Sequence, residues 1–269
     1  KMRDLGVTFQ TDTIVGKTIT YEDLKAQGVD GIFIATGVGV ANYMGIPGED
    51  LKGVYTASEY LAKYNLMSPE ELAEALPSLR GKRVAVIGGG NTAIDAVRTA
   101  IRLDAKQATI VYRRSEEEMP ARAEEIKHAR EEGTEFFNLH NPVEYLGDES
   151  GHVTAMRLER MELGAPDESG RRRPVATGEI ITVPVDEVII CIGYSASTLV
   201  TKSMPELEVN KWGNIVVDES KKTSMPDVYA GGDIVRGAAT VILAMGDGRR
   251  AATAMHQKLS GRIEEGALV

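Results

Sequence analysis

A single cysteine, Cys191, stands among 269 residues. That excludes an internal disulfide, a CxxC redox pair and a cysteine-held iron–sulfur cluster within this sequence. Histidine is almost as scarce. The four residues are scattered without metal-ligand spacing, so no metal site is expected. Positive charge is in deficit too: Lys and Arg number 31 against 40 Asp and Glu, a net charge of −9. Such a chain is a poor candidate for nucleic acid or an anionic membrane surface. No apolar run approaches the roughly 18 residues of a membrane-spanning helix. The opening KMRDLGVTF does not read as a signal peptide. These scarcities lead to the expectation of a cytoplasmic protein with no membrane span and no nucleic-acid partner.

Glycine is abundant, with 28 residues, and hydrophobic residues make up 42% of the chain. The length suffices for two domains or one large one, and the glycines suit many strand-to-helix turns. The clearest stretch is VAVIGGGNTAIDAVRTAIR, from Val84 to Arg102. Val84 to Ile87 read as a buried parallel strand. Gly88, Gly89 and Gly90 make the turn, and Ala93, Ile94, Val97, Ala100 and Ile101 recur at helical spacing. Asn91 and Thr92 are placed to satisfy free N–H groups at the helix start. Strand, glycine turn and helix in that order are what a dinucleotide fingerprint needs. Gly88 permits the tight turn, Gly90 lets backbone N–H groups approach a pyrophosphate, and Ala93 keeps helix and strand close. The helix N-terminus adds partial positive charge for the phosphates. A packing turn is the alternative reading of the glycines alone.

The next strand, Ala108 to Tyr112, separates the nucleotides. Roughly 20 residues after the glycines, an NAD site usually carries Asp or Glu for the ribose 2′-hydroxyl. Here the strand ends in Arg113 and Arg114. A carboxylate repels a 2′-phosphate, whereas a guanidinium grips it with two hydrogen bonds. The expectation is therefore NADP(H). The competing reading is a pair of solvated arginines, with Glu116, Glu117 and Glu118 close enough in sequence to pair with them.

Elsewhere, LGVTFQTDTIVGKTIT reads as two short strands around Gly16-Lys17, followed by a helix over Thr20–Ala26 with a capping-box relation of Thr20 and Asp23. Helices are expected over Thr56–Met67, Pro69–Leu76 and Pro120–Glu132. GIFIATG (Gly31–Gly37) and VIICIG (Val188–Gly193) are buried strands with small ends, where backbone comes close to a ligand. Asn141 to Val185 alternates like an antiparallel meander, with Arg171 to Arg173 read as a solvated hairpin tip in preference to a partner contact. Ile215–Asp218 reads as a strand, and so does DVYAGGD from Asp227 to Asp233. Ala238 to Leu259 reads as a long helix with Val241, Ile242, Met245, Ala252, Met255 and Leu259 on its apolar face. Cys191 reads as a small buried apolar residue.

Five motifs together, GIFIATG, VAVIGGGNTAIDA, VYRRSEEEMPA, VIICIGY and DVYAGGDIVRGAATVILAMGDGRRAA, resemble the small (β) subunit family of NADPH-dependent glutamate synthase and the related flavin subunits of ferredoxin:NADP oxidoreductases. The resemblance implies an α/β fold: a Rossmann-like NADP-binding domain with an antiparallel β-meander, inserted in the C-terminal remnant of a second Rossmann-like FAD domain. It assigns residues 51–193 to NADP, and residues 1–50 with 194–269 to FAD. By the same resemblance Gly88, Gly89, Gly90, Asn91 and Thr92 hold the NADP pyrophosphate, Arg113 and Arg114 the 2′-phosphate, and Gly193 lies on the same cofactor. Thr36, Gly37, Gly232 and Asp233 fall on the FAD side, and Thr240 and Val241 open a helix aimed at the flavin. The family's cysteine-rich iron–sulfur segment and first FAD fingerprint are not in this sequence, which points to a fragment that lacks full FAD binding.

The function expected is that of an NADPH-dependent flavin oxidoreductase subunit, passing hydride from NADPH to FAD and electrons on to a large or other electron-accepting subunit. Self-association is a further expectation. No catalytic side chain is assigned, because hydride transfer needs none. The rival readings are an NADP-binding sensor without catalysis and another two-dinucleotide flavoprotein reductase. Among the latter, the single cysteine argues against a disulfide reductase.

Overall fold

The apolar run Val84–Ile87 forms an interior strand. The computed structural model describes residues 1–68, 71, 78–168 and 170–261. In chain order its elements are α1 (Tyr21–Ala26), β1 (Ile32–Ile34), β2 (Val38–Ala41), β3 (Val54–Thr56), α2 (Ala57–Leu66), β4 (Arg83–Ile87), α3 (Asn91–Arg102), β5 (Gln107–Tyr112), α4 (Ala123–Glu131) and β6 (Glu135–Asn138). There follow β7 (His140–Gly147), β8 (Val153–Pro166), β9 (Arg172–Pro184), β10 (Glu187–Ile190), β11 (Tyr194–Ala196), α5 (Thr198–Ser203), β12 (Val228–Ala230), α6 (Asp233–Arg236) and α7 (Val241–Leu259). The chain divides into one unit of Lys1–Val40 with Tyr194–Val269 and another of Ala41–Gly193. The helix expected over Pro69–Leu76 lies outside the described residues, apart from Glu71.

In the Ala41–Gly193 unit, five parallel strands stand in the order β3-β10-β4-β5-β6. Strands β10 and β4 are flanked on both sides, which is why they are continuous apolar runs rather than alternating ones. Ala85, Ile87, Val111, Val188 and Ile190 face the meander, where they pack with Tyr145, Val153, Met156, Leu158 and Val185. Val84 and Val86 turn to the other face. Helix α3 buries Ala93, Ile94, Ala96, Val97 and Ala100 completely, its alanines allowing close approach to the sheet. The meander β7-β8-β9 is antiparallel throughout. Helix α4 starts at Ala123, three residues later than Pro120. The N–H groups of Ala121 and Arg122 are already given to Gly89 O (3.1 Å) and Asn91 Oδ1 (3.0 Å).

In the other unit, β1 pairs in parallel with β12, and β2 with β11. Ile34, Val200, Met204, Leu207, Ile215, Met225, Val228, Ala230 and Ile234 form its core. Helix α1 carries the capping box read from the sequence, Thr20 with Asp23. The two strands expected before it are absent: a 3-10 turn over Arg3–Leu5 and a single bridge between Val15 and Ile19 stand there instead. Val7, Phe9 and Ile14 are exposed, so their alternation has no partner sheet to bury it. Ile215–Asp218 likewise contributes one bridge, to Val209, rather than a strand. Helix α7 begins at Val241, with Thr240 as its N-cap. Its buried residues are Asp247, Ala251 and Ala254, whereas Val241, Ile242, Met245 and Leu259 are more than half exposed. Of the face expected to be core, Met255 packs against Tyr229, Ala251 and Ala254, and the rest is exposed. Among the described residues no helix is long and apolar enough to cross a membrane.

Candidate functional site

The glycine turn sits at the carboxyl ends of β10, β4 and β5. From β4 the chain proceeds to β5 and β6 on one side, while β10 and β3 lie on the other. This reversal of strand order is the place where open α/β sheets bind ligands. The three glycines differ in what surrounds them. Gly88 has φ +143°, and a Cβ there would lie 2.3 Å from the Cys191 carbonyl oxygen. A Cβ on Gly89 would meet the Tyr112 ring at 2.8 Å. Gly90 has φ −89°, and its Cβ would meet only Pro120 Cγ, at 4.0 Å. Packing therefore explains Gly88 and Gly89, while the protein itself leaves room at Gly90.

Gly90, not Asn91 or Thr92, is the N-cap of α3, and no side chain caps that end. The Asn91 carboxamide oxygen instead accepts from Arg122 N, at 3.0 Å. In place of the local capping expected of Asn91, its partner is 31 residues away. The first turn holds no acidic residue, so the partial positive charge of the helix end is not neutralised locally. Gly193 follows Cys191 at the end of β10 with φ +97°, and its carbonyl accepts from Asn42 N at 3.1 Å. Burial pushes the Cys191 thiol well above its ordinary value, which disfavours the thiolate.

The two arginines after β5 diverge. Arg113 is exposed, and among the described residues no carboxylate pairs with it. Arg114 is 7% exposed. Its Nη2 meets Asp167 Oδ2 at 2.8 Å, and its Nε donates to Arg172 O at 2.8 Å. The acidic run after them pairs elsewhere: Glu117 and Glu118 with Arg172, and Glu116 with Arg130. Arg172 is thus drawn into an ion-pair network rather than left on a solvated tip. Asp167 is not marked by anything local in the sequence, and Arg172 reads there as part of a solvated tip because its partners Glu117 and Glu118 are more than 50 residues away.

In the other unit, Gly37, Gly232, Asp233, Thr240 and Val241 line one cleft of about 270 Å³ together with Phe33. Thr36 is exposed beside it. Asp233 Oδ1 accepts from Ala239 N at 3.2 Å, and Thr240 Oγ1 accepts from Leu243 N at 3.4 Å. Behind the cleft stands Asp247, fully buried, which the sequence reading did not single out. It accepts from Gly232 N at 3.1 Å, from Arg236 Nε and Nη2 at 2.6 Å each, and pairs with Lys221 Nζ at 3.0 Å. The Arg236 hydrogen bonds hold its carboxyl far below the usual carboxylate range, against the opposing effect of burial. A cleft of this size lies just under the roughly 300–1,000 Å³ of small-molecule and cofactor sites, so it fits part of a large cofactor. Among the described residues no cluster of His, Cys, Asp and Glu is suited to a metal ion.

With this geometry in view, a model of the pyridine nucleotide-disulphide oxidoreductase family matches residues 3–256. The chain is 42% identical, over 96% of its length, to the NADP(+)-dependent formate dehydrogenase subunit beta of Moorella thermoacetica, of which it covers 36%. It is 38% identical, over 92% of its length, to the glutamate synthase [NADPH] small chain of Escherichia coli, of which it covers 54%. The chain thus spans about half or less of the length of these curated relatives. Among solved structures, Mycobacterium tuberculosis FprA in complex with NADPH superposes with a TM-score of 0.74 at 20% identity, over 94% of this chain and 70% of that one. A thioredoxin reductase from T. acidophilum superposes with a TM-score of 0.65 at 24% identity, over 86% of this chain and 66% of that one. These two show the fold alone.

Proposed function

Since the chain belongs to the pyridine nucleotide-disulphide oxidoreductase family, we propose that it binds NADP(H) on the Ala41–Gly193 unit, as the nicotinamide-binding part of an NADPH-dependent flavin oxidoreductase subunit. The observation that carries this reading is the open side of the glycine turn. Gly90 stands with free space around it, at an uncapped helix N-terminus, where the strand order reverses. Backbone N–H groups in that position suit a pyrophosphate. Gly88 and Gly89 shape the turn, Asn91 and Thr92 open the helix, Gly193 borders it from β10, and Arg113 takes the 2′-phosphate. The names of two relatives, an NADP(+)-dependent formate dehydrogenase subunit and an NADPH glutamate synthase small chain, support the same cofactor.

The second unit supplies a partial FAD site. Gly37, Gly232, Asp233, Thr240 and Val241 line it, Thr36 borders it, and its volume suits one portion of the cofactor. When bound, NADPH and FAD supply the chemistry, a hydride passing from nicotinamide C4 to flavin N5. The chain's own residues bind and orient. Thr240 caps α7, whose N-terminal partial positive charge favours negative charge on a reduced flavin. Disulphide chemistry does not arise within these 269 residues, because Cys191 is alone and buried. The NADP part is the Ala41–Gly193 unit, which starts ten residues before the expected 51–193, and the FAD part is Lys1–Val40 with Tyr194–Val269. Electrons pass on to an electron-accepting partner subunit, as the subunit names of the relatives suggest.

Calorimetric titration of the 269-residue chain with NADP+ and NAD+, with a visible spectrum of the same preparation, tests both halves. Tighter NADP+ binding and substoichiometric flavin are expected. Equal affinities for the two nucleotides would remove the cofactor assignment, and a fully flavinylated preparation would remove the partial-site reading.

A further inference from the structure

Arg113 and Arg114 are neighbours in sequence, yet Arg114 is committed to Asp167 and the Arg172 carbonyl, while Arg113 has no ion pair among the described residues. We propose that the distal end of the β8–β9 hairpin is a positioning device for nucleotide specificity. Asp167 and Arg172 hold the loop after β5 so that Arg113, without a carboxylate partner among the described residues, carries the contact to the 2′-phosphate. This rests on the NADP(H) reading given above and names residues that act on that site through others.

The loop from Arg113 to Arg122 is tied at both ends. Toward the glycine turn, Ala121 N donates to Gly89 O at 3.1 Å and Arg122 N to Asn91 Oδ1 at 3.0 Å. Toward the hairpin, Arg114 meets Asp167 and the Arg172 carbonyl. Arg172 Nη2 meets Glu117 at 2.9 Å, its Nε pairs with Glu118, and Ser115 closes on Glu118. Arg114 O also accepts from Leu139 N, whose own carbonyl accepts from Met161 N in β8. The backbone on either side of Arg113 is therefore fixed to the turn and to the meander.

Burial shows which arginine is free to act. Arg114 and Glu118 are 7% and 6% exposed. Buried charges of this kind are stable only with their partners in place. Taking Arg114 for a planar, two-bond phosphate contact would break its pair with Asp167. Arg113 needs no such exchange, and a fixed backbone lowers the ordering cost of its contact. The hairpin's length fits this role. Its sheet-facing residues Val153, Met156 and Leu158 are buried, while most of β9 is exposed. The strands thus run beyond the core, and what they carry there is the Asp167 and Arg172 contacts to the loop.

The test uses the full chain, calorimetry with NADP+ and with NAD+, and three variants. Arg172→Ala and Asp167→Asn are expected to weaken NADP+ about tenfold, the size of one charge-assisted hydrogen bond, with NAD+ changed by less than about twofold. Arg173→Ala removes the same charge from the same hairpin at an exposed position, and is expected to leave both nucleotides within about twofold. Equal weakening of NADP+ and NAD+, or no change in either, would overturn the proposal. So would tighter NADP+ binding by Asp167→Asn, since Arg114 would then be the phosphate ligand and Asp167 its competitor. Should Arg172→Ala fail to fold, Asp167→Asn reads the same ratio with the side-chain shape kept. Wild-type chain binding both nucleotides equally would instead sink the NADP(H) reading itself, whatever the hairpin does.

Discussion

Gly88 and Cys191 stand so close that a side chain on the glycine has no room: its Cβ would lie 2.3 Å from the Cys191 carbonyl oxygen. The contact links the ends of β4 and β10, the adjacent strands between which the sheet reverses its order. Two residues on, Gly90 has space for a side chain. The same motif therefore contains a glycine required by the fold and one the fold does not require.

Gly88→Ala is expected to destabilise the chain by about 2–5 kcal/mol, from overpacking together with strain at positive φ. Gly90→Val, at a φ that any residue adopts, should leave the thermal midpoint close to wild type and abolish NADP+ binding. Thermal melts paired with calorimetry check both. Collapse of Gly90→Val before any effect on binding would make Gly90 a packing residue.

Arg113→Ala should weaken NADP+ by roughly 10–100-fold, the value of a charge-assisted hydrogen bond to a phosphate. NAD+ has no 2′-phosphate and should be nearly unaffected. The loss should shrink at high salt, because the group is exposed. Parallel losses for both nucleotides would rule out the 2′-phosphate role.

Asp247→Ala leaves Arg236 and the buried Lys221 without their shared carboxylate and the Gly232 N–H without its acceptor. Breaking such a buried pair costs about 3–5 kcal/mol. Urea denaturation should show that loss in the Lys1–Val40 and Tyr194–Val269 unit, with NADP+ binding on the other unit retained. Unchanged stability would mean that the clamp contributes nothing to holding the Gly231-Gly232 turn.

Acid should weaken the Ala41–Gly193 unit over a defined range. Hydrogen bonds from Arg83 pull the Asp186 carboxyl from 3.8 down to about 2. Those from Arg98, then Arg102, pull Glu132 from 4.5 down to about 2. Both groups are lowered in the folded state, so their stabilisation is complete above their ordinary values and disappears as the pH falls through about 2. Urea midpoints measured from about pH 5 to about pH 2 should fall, and Asp186→Asn with Glu132→Gln should flatten the profile. An equally steep profile in the double variant would assign acid sensitivity to other groups.

The parallel-sheet unit was legible in the sequence because its signals are local. An apolar run, a glycine turn and a helix with alanines on one face lie within Val84–Arg102, and each follows from short-range sterics and burial. The meander and the Thr20–Asp23 capping box were readable for the same reason, since alternation and a three-residue spacing need no distant partner. What lay outside local reach was decided by tertiary structure. Arg113 and Arg114 look equivalent in sequence; Asp167 and the Arg172 carbonyl, 53 and 58 residues away from Arg114, separate them. Asn91 looks like a helix cap until Arg122 claims its oxygen. In α7, hydrophobic periodicity selected Val241, Ile242 and Met245, yet the helix turns Asp247, Ala251 and Ala254 inward. Small residues there allow close approach, and the charge of Asp247 is offset by Lys221 and Arg236, which come from separate segments of the chain. Periodicity ranks residues by their own hydrophobicity. A buried carboxylate is stable through the cations around it, and those become its neighbours only when the chain has folded.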